Sequence, residues 1–179
     1  MFKLNFSNIL SNIDNYIVDN NKNLTCHELA NLYLEFIMSL KSKNLNSNNL
    51  TGLTEIIFSR AFYYYNKRAI DSGIITVSHN IDLAGQQPDL VVFLDEQPIA
   101  SIEVKSNFSN IKQDCERHEK VLKKYPNINL LTVAFEVQNQ SHRKNINKLV
   151  KEYLFYKVLI LNESQMPFQD VLRRYGLIF

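Results

Sequence analysis

The chain has 179 residues, 45% of them hydrophobic and 21% charged, which is typical of one folded globular domain and excludes a disordered chain. The formal net charge is only +2, so charge alone does not select a partner. No apolar run approaches the roughly 20 residues of a membrane helix, and the polar N-terminus does not resemble a signal peptide, so we expect a cytoplasmic protein that makes no membrane contact.

Three helices are predicted in the first part of the chain. Apolar residues recur at helical spacing from Phe6 to Ile17. A second helix is predicted to begin at Thr25, because Glu28 three positions later completes a capping box. The Asn/Ser-rich stretch from Ser42 to Asn49 predicts a loop, and a third helix is predicted from about Thr51 to Arg68.

After the third helix the pattern changes to short apolar strands that alternate with helices. The predicted strands are Ile74–Val77, Asp89–Leu94, Pro98–Lys105, Leu130–Val137 and Lys157–Leu161, and the predicted helices are Asn110–Lys124, Lys144–Tyr153 and Phe168–Tyr175. The order predicts a single α/β domain with a mixed central sheet flanked by helices, in which residues 1–50 form a helical extension and residues 51–179 the α/β core.

The second and third predicted strands read as a hairpin whose pattern selects its own register. A three-residue loop at Asp95 to Gln97 places Asp89 opposite Glu103, with Lys105 on the same face. That face then carries Asp89, Val91, Phe93, Ile99, Ser101, Glu103 and Lys105, and the other carries Leu90, Val92, Leu94, Pro98, Ala100, Ile102 and Val104. A slip of one residue would mix apolar and charged side chains on both faces, which strand periodicity disfavours.

Two opposed carboxylates are a chemical signal as well as a geometric one. Directly opposed side chains lie about 5 Å apart at Cβ, and two carboxylates that close repel each other unless a cation or a proton joins them. Mg²⁺ takes one or two carboxylates and keeps several waters. The register therefore predicts that Asp89 and Glu103 can hold a divalent metal beside Lys105, a combination suited to stabilising phosphoryl transfer.

Pro88-Asp89, followed after thirteen residues by Glu103-Val104-Lys105, resembles the signature of the PD-(D/E)XK nuclease superfamily. The predicted order of helix, three strands, helix and strand over residues 51–137 resembles the common core of that superfamily. The resemblance implies a restriction-endonuclease-like core and a Mg²⁺- or Mn²⁺-dependent endonuclease acting on DNA, similar to a type II restriction or phage-defence enzyme. In that reading Asp89, Glu103 and the Val104 carbonyl bind the metal, and Lys105 orients or activates the attacking water.

The resemblance also extends to the two neighbouring helices. Glu55 matches a glutamate that many members carry on the helix before the first core strand. Gln113, Asp114 and Arg117 match, more loosely, a polar residue that the helix after the triplet often offers. A homodimer is expected if both strands of a duplex are cut, because one active site handles one strand and a two-fold protein matches a two-fold site.

Each residue of this site also has a structural interpretation. Asp89 is suited to a turn ahead of a strand, and Glu103 with Lys105 can form a weak charge pair on a solvent-facing strand end. Glu55 gains from the helix dipole in a first helical turn without any catalytic role. Gln113, Asp114 and Arg117 are also typical of an exposed helix surface.

Two further functions stay open from the sequence. The first is a non-catalytic nucleic-acid-binding or assembly subunit that retains a nuclease-like fold. The second is an unrelated α/β enzyme, although no GxSxG, GxxxxGK, GxGxxG or HExxH motif is present and the four histidines show no metal-ligand spacing. Cys26 and Cys115 are far apart in the chain and are expected to be free thiols.

The charges are distributed unevenly along the chain. Residues 1–104 carry seven basic and eleven acidic side chains, whereas residues 105–179 carry thirteen basic and seven acidic ones. The basic C-terminal part suits a polyanion or is simply a solvated surface. Candidates for phosphate contacts are Arg143, Lys144, Lys148, Lys151, Arg173 and Arg174. The aromatic run from Phe62 to Tyr65 is suited to stacking on bases or to a place in the core.

Overall fold

A mixed five-stranded sheet with helices packed against it organises the chain. The computed structural model describes residues 6–20, 23–42, 52–107 and 111–179, so most of the Asn/Ser-rich stretch lies outside the described residues. The helices are α1 (Phe6–Asn20), α2 (Cys26–Ser42), α3 (Gly52–Asp71), α4 (Ile111–Lys124), α5 (Gln140–Glu152) and α6 (Phe168–Arg174). The strands are β1 (Ile75–Ser78), β2 (Leu90–Leu94), β3 (Gln97–Asn107), β4 (Asn129–Glu136) and β5 (Val158–Ile160), with a 3₁₀ turn at Leu161–Glu163.

The strands follow one another across the sheet in chain order. β1 pairs with β2, and β2 with β3, in antiparallel fashion, whereas β3, β4 and β5 are parallel. The order of elements predicted from the sequence is confirmed. The start of β2 and the ends of β1, β3 and β4 consequently meet at one edge of the sheet, which is hereafter called the site edge.

The hairpin of β2 and β3 has the predicted register beside the site edge, but the predicted loop is wrong. Leu90 pairs with Ile102, which continues to place Asp89 opposite Glu103. The connection is a two-residue turn in which Asp95 and Glu96 have φ of 48° and 63°, as a type I′ turn requires.

A β-bulge reconciles the shorter turn with that register. The pairing shifts between Val92 and Phe93, so that Phe93 pairs with Pro98 and one extra residue stands on β3. Ile99 therefore packs with the core on the side of α3, and not on the side of Glu103 as predicted.

The two faces of the sheet have different covers. On one face, apolar side chains from β2, β3 and β4 pack against α1, α2, α3 and α6 in a cluster that includes Ile57, Phe58, Phe62 and Phe168. On the other face, smaller clusters place Cys115 and Val121 of α4 and Ile146 of α5 against the sheet. Glu103 of β3 is therefore buried on this covered face and does not lie on a solvent-facing strand end.

Helix ends follow their local sequence closely. The capping box of α2 is confirmed, because Glu28 N–H donates to Thr25 Oγ1 over 3.1 Å and Thr25 N–H donates to Glu28 Oε2 over 2.7 Å. α5 begins earlier than predicted, because the Asn139 side chain accepts a hydrogen bond from Ser141 N–H over 2.8 Å and caps the helix there.

The start of α2 is joined to the segment before α6 by backbone hydrogen bonds. Cys26 N–H donates to the Met166 carbonyl over 3.0 Å, and Phe168 N–H donates to the Leu24 carbonyl over 2.7 Å. Both cysteines are free thiols, as predicted. None of the described helices combines the length and apolar character that crossing a bilayer demands.

Candidate active site

Asp89 stands at the site edge, directly before β2, and is fixed by the neighbouring strand. Its Oδ2 accepts a hydrogen bond from the Val104 N–H over 2.6 Å. Its carbonyl oxygen lies 3.2 Å from Nδ1 of His79, the residue that follows β1. Burial raises the pKa of Asp89, although the Val104 N–H and Lys105 oppose that shift. The Asp89 carboxylate is therefore partly buried and fixed by a hydrogen bond, whereas the carboxylate of a simple turn residue would be exposed to water.

Glu103 and Lys105 project from β3 on the same side, as the register predicted. Lys105 Nζ lies 3.3 Å from Glu103 Oε2 and 3.4 Å from Oδ1 of Asp114, which comes from the first turn of α4. The side chains of both acids are 4% exposed and that of Lys105 is 26% exposed. The ammonium group thus sits between two buried carboxylates that belong to different elements.

The electrostatics of this cluster favour additional positive charge. The pKa of Glu103 is raised to about 7, chiefly by burial, with Lys105 opposing the shift and Asp89 and Asp114 adding to it. Burial also raises the pKa of Asp114 against the opposing effect of Lys105. Burial alone would lower the pKa of Lys105, but Glu103 and Asp114 raise it above its ordinary value. A divalent cation would favour the ionised carboxylates, which burial penalises.

Glu55, in the first turn of α3, belongs to the same electrostatic environment. The side chain is partly buried, and its pKa is raised by burial and then by Asp89, whereas Lys105 lowers it. The structure therefore brings the predicted Glu55 toward the carboxylates of the sheet, although α3 lies far from them in the sequence.

The three loosely matched residues of α4 have different positions. Asp114 is buried in the cluster. Arg117, one helical turn later, is partly buried, with Nη1 3.7 Å from Asp114 Oδ1. Gln113 is exposed and lines an open groove between α4 and α5. The sequence could not separate the three, because the rotation of α4 about its axis decides which side chain meets Lys105.

A row of buried polar side chains continues from Glu103 into the protein. Thr132 of β4 is the direct sheet neighbour of Glu103, and its hydroxyl interacts with that of Tyr156, whose pKa burial raises and this contact lowers. Both ring nitrogens of His118 have no hydrogen-bond partner among the described residues, and its ring centroid lies 5.6 Å from that of Tyr156. Burial, and then Lys105, lower the pKa of His118 to about 4.

Sequence reasoning missed two parts of this site. His79 reaches Asp89 only through the pairing of β1 with β2, and the isolated histidine gave no signal. The row of Thr132, His118 and Tyr156 is assembled from three separate elements. Only the residues of the hairpin carry a local pattern, and only they were identified as a group.

The residues at the site edge fit a hard divalent cation. Asp89 and Glu103 offer carboxylate oxygens from neighbouring strands. Val104 follows Glu103, binds Asp89 through its N–H and buries its side chain on the opposite face. Within the described ranges, no three His, Cys, Asp or Glu side chains converge as a complete ligand set. Mg²⁺ does not need such a set, since one or two carboxylates with waters and substrate oxygens suffice.

Comparison with models of protein families, with curated proteins and with solved structures gives no match to this chain.

Proposed function

We propose that this protein is a divalent-metal-dependent endonuclease of the PD-(D/E)XK type that hydrolyses phosphodiester bonds in DNA. The observation that carries the proposal is the hairpin itself. It places Asp89 beside the Glu103-Val104-Lys105 triplet, with Asp89 bound to the Val104 N–H over 2.6 Å and Lys105 3.3 Å from Glu103. The order α3, β1, β2, β3, α4, β4 supports the resemblance to the core of that superfamily.

Each residue has a specific task in the proposed reaction. Asp89, Glu103 and the Val104 carbonyl would hold Mg²⁺ or Mn²⁺, which when bound offsets negative charge on the phosphate. The Lys105 ammonium group orients the attacking water and offsets charge as that water attacks phosphorus. A new P–O bond forms to the water oxygen, the bond to the leaving ester oxygen breaks, and a proton ends on the leaving oxygen.

Glu55 and His79 complete the rim of the proposed site. Glu55 adds negative charge near Asp89, which favours a cation, and His79 braces the Asp89 backbone. Lys144, Lys148 and Lys151 are exposed on α5 and supply positive charge for a nucleic acid backbone, whereas Arg143 and Arg173 are paired with acids. A homodimer is part of the proposal where both strands of a duplex are cut, and light scattering on the purified protein tests it.

A cleavage assay with matched variants tests the proposed activity. Supercoiled plasmid is incubated with the wild type, Asp89→Ala and Lys105→Ala, with Mg²⁺ and with chelator. The controls are Asp71→Ala and Lys67→Ala, because these residues form a remote, exposed lysine–acid pair at 3.4 Å. We expect Mg²⁺-dependent cleavage by the wild type and both controls and none by the two site variants.

The same samples distinguish the proposal from a binding or assembly subunit. Fluorescence anisotropy of a labelled duplex measures DNA binding independently of cleavage. Binding without cleavage under every metal condition would favour the non-catalytic function. Cleavage that persists equally in Asp89→Ala and Lys105→Ala would show that another part of the preparation performs the reaction.

A further inference from the structure

Lys105 has two acidic partners, and they stand in different relations to a metal. Its Nζ lies 3.3 Å from Glu103 Oε2 and 3.4 Å from Asp114 Oδ1, so neither carboxylate is clearly preferred. Glu103 shares the hairpin with Asp89, whereas Asp114 belongs to α4. A lysine ammonium carries three N–H donors and can serve both acids at once.

A metal ion on Glu103 would change this balance. With a cation bound, the Glu103 carboxylate would attract Lys105 less, and the ammonium group would be repelled by the ion's own charge. Asp114 is then the remaining anion in contact with Lys105. We propose that Asp114 is the positioning residue that keeps Lys105 at the reaction centre once Glu103 has bound the metal, an inference that rests on the proposed nuclease function.

Asp114 is itself well fixed for such a role. Its side chain is only 4% exposed, and Arg117 Nη1 lies 3.7 Å from the same Oδ1 that faces Lys105. It also stands in the first turn of α4, where the helix dipole favours a carboxylate. Arg117 and the helix dipole therefore favour the ionised form of Asp114 independently of Glu103, in opposition to the burial that raises its pKa.

The test compares Asp114→Asn with Glu103→Gln in the intact protein. Single-turnover plasmid cleavage gives the rate and the half-saturating DNA concentration, and calorimetry gives the Mg²⁺ dissociation constant. For Asp114→Asn we expect a rate about 10- to 100-fold lower, since a misplaced catalytic group costs on that order, with DNA and Mg²⁺ affinities within about twofold. For Glu103→Gln we expect Mg²⁺ affinity itself to fall. Asp71→Asn, which disrupts a remote, exposed ion pair with Lys67, is the matched control.

Two further measurements separate positioning from folding and from metal ligation. Asp114→Glu should recover part of the rate, because it restores the negative charge. In urea unfolding, the midpoint shift caused by Asp114→Asn should be smaller in a Lys105→Met background than in the wild type, because the shared ion pair is already gone. An additive result overturns the contact, and an unchanged cleavage rate overturns the positioning role.

The remaining outcomes are equally distinct. A loss of Mg²⁺ affinity in Asp114→Asn as large as that in Glu103→Gln would make Asp114 a ligand and overturn its role as a positioning residue. A wild type that neither binds Mg²⁺ nor cleaves DNA overturns the proposed function and this role together. That result is distinguishable from an active wild type whose Asp114→Asn variant is equally active, which overturns only the role of Asp114.

Discussion

The two faces of β3 place opposite demands on the same eleven residues. Ala100, Ile102 and Val104 pack into the helical core with α1, α2 and α3. Glu103 alternates with them on the other face, where Lys105 contacts both Glu103 and the buried Asp114 of α4. The apolar face gains free energy from burial, whereas the charged face must offset the cost of removing carboxylates from water.

The two faces also differ in how completely their buried polar groups are hydrogen-bonded. The buried Asn66, near the helical face, is fully used, because its amide donates to the Phe62 and Leu177 carbonyls and its oxygen accepts from the Phe179 N–H. On the charged face, both ring nitrogens of the buried His118 have no hydrogen-bond partner among the described residues. Such underused polar groups are typical of functional sites more than of cores.

The largest expected effect is on activity at the charged face. Glu103→Gln keeps the shape of the side chain and removes the proposed metal ligand, so we expect cleavage to fall at least about 1,000-fold, or about 4 kcal/mol of transition-state stabilisation. The melting temperature should hold or rise, because a costly buried charge is removed. Glu96→Gln in the exposed hairpin turn is the control, and an active Glu103→Gln variant would contradict the assignment.

The next effect is on stability at the apolar face. Ile102→Ala removes a side chain that is fully buried in the helical core, and we expect it to lower the free energy of unfolding by about 2 to 5 kcal/mol. Ser101→Ala, the adjacent residue on the other face, should change it by less than about 1.5 kcal/mol. Urea unfolding measures both, and equal losses would show that the faces do not differ as described.

The third prediction concerns pH, where two buried groups act in opposite directions. Burial raises the pKa of Glu103 from 4.5 to about 7, so its stabilising contribution is present in acid and is lost as the pH rises toward 7. Burial lowers the pKa of His118 from 6.5 to about 4, so its contribution is present at neutral pH and is lost as the pH falls toward 4.

Variants of these two groups should therefore separate the two trends. Without metal, Glu103→Gln should lose stability more steeply than the wild type as the pH falls from 7 to 5. His118→Phe should lose less, or gain, over the same interval. Chemical unfolding at several pH values measures the slopes, and three parallel profiles would show that neither group titrates as its burial implies.

The smallest effect is expected where a buried hydroxyl has a single weak contact. Tyr156→Phe removes a hydroxyl that interacts only with the Thr132 side chain among the described residues, so we expect the free energy of unfolding to change by less than about 1 kcal/mol. Asn66→Ala leaves three backbone groups without their partner and should cost more, about 2 to 4 kcal/mol. Thermal unfolding compares the two, and a larger loss for Tyr156→Phe would reverse the contrast between the faces.

Local pattern explains why the hairpin was predictable and the rest of the site was not. The alternation of β2 and β3 carried enough information to place Asp89 opposite Glu103, and the bulge at Ile99 of β3 preserved that register despite a wrong loop length. The role of Asp114 depends on how α4 rotates against the sheet, which its amphipathic pattern only approximates. Contacts such as His79 with Asp89 arise from strand pairing and have no counterpart in the linear sequence.

The hydrogen bonds between the start of α2 and the segment before α6 have a consequence for how the chain folds. The His27 side chain lies 2.8 Å from the Asn162 carbonyl across 135 positions of sequence, and the backbone contacts around Cys26 span a similar distance. Loops of that length close late, and a high contact order slows folding. On a ribosome, α2 would therefore remain without its final partners until nearly the whole described chain had emerged.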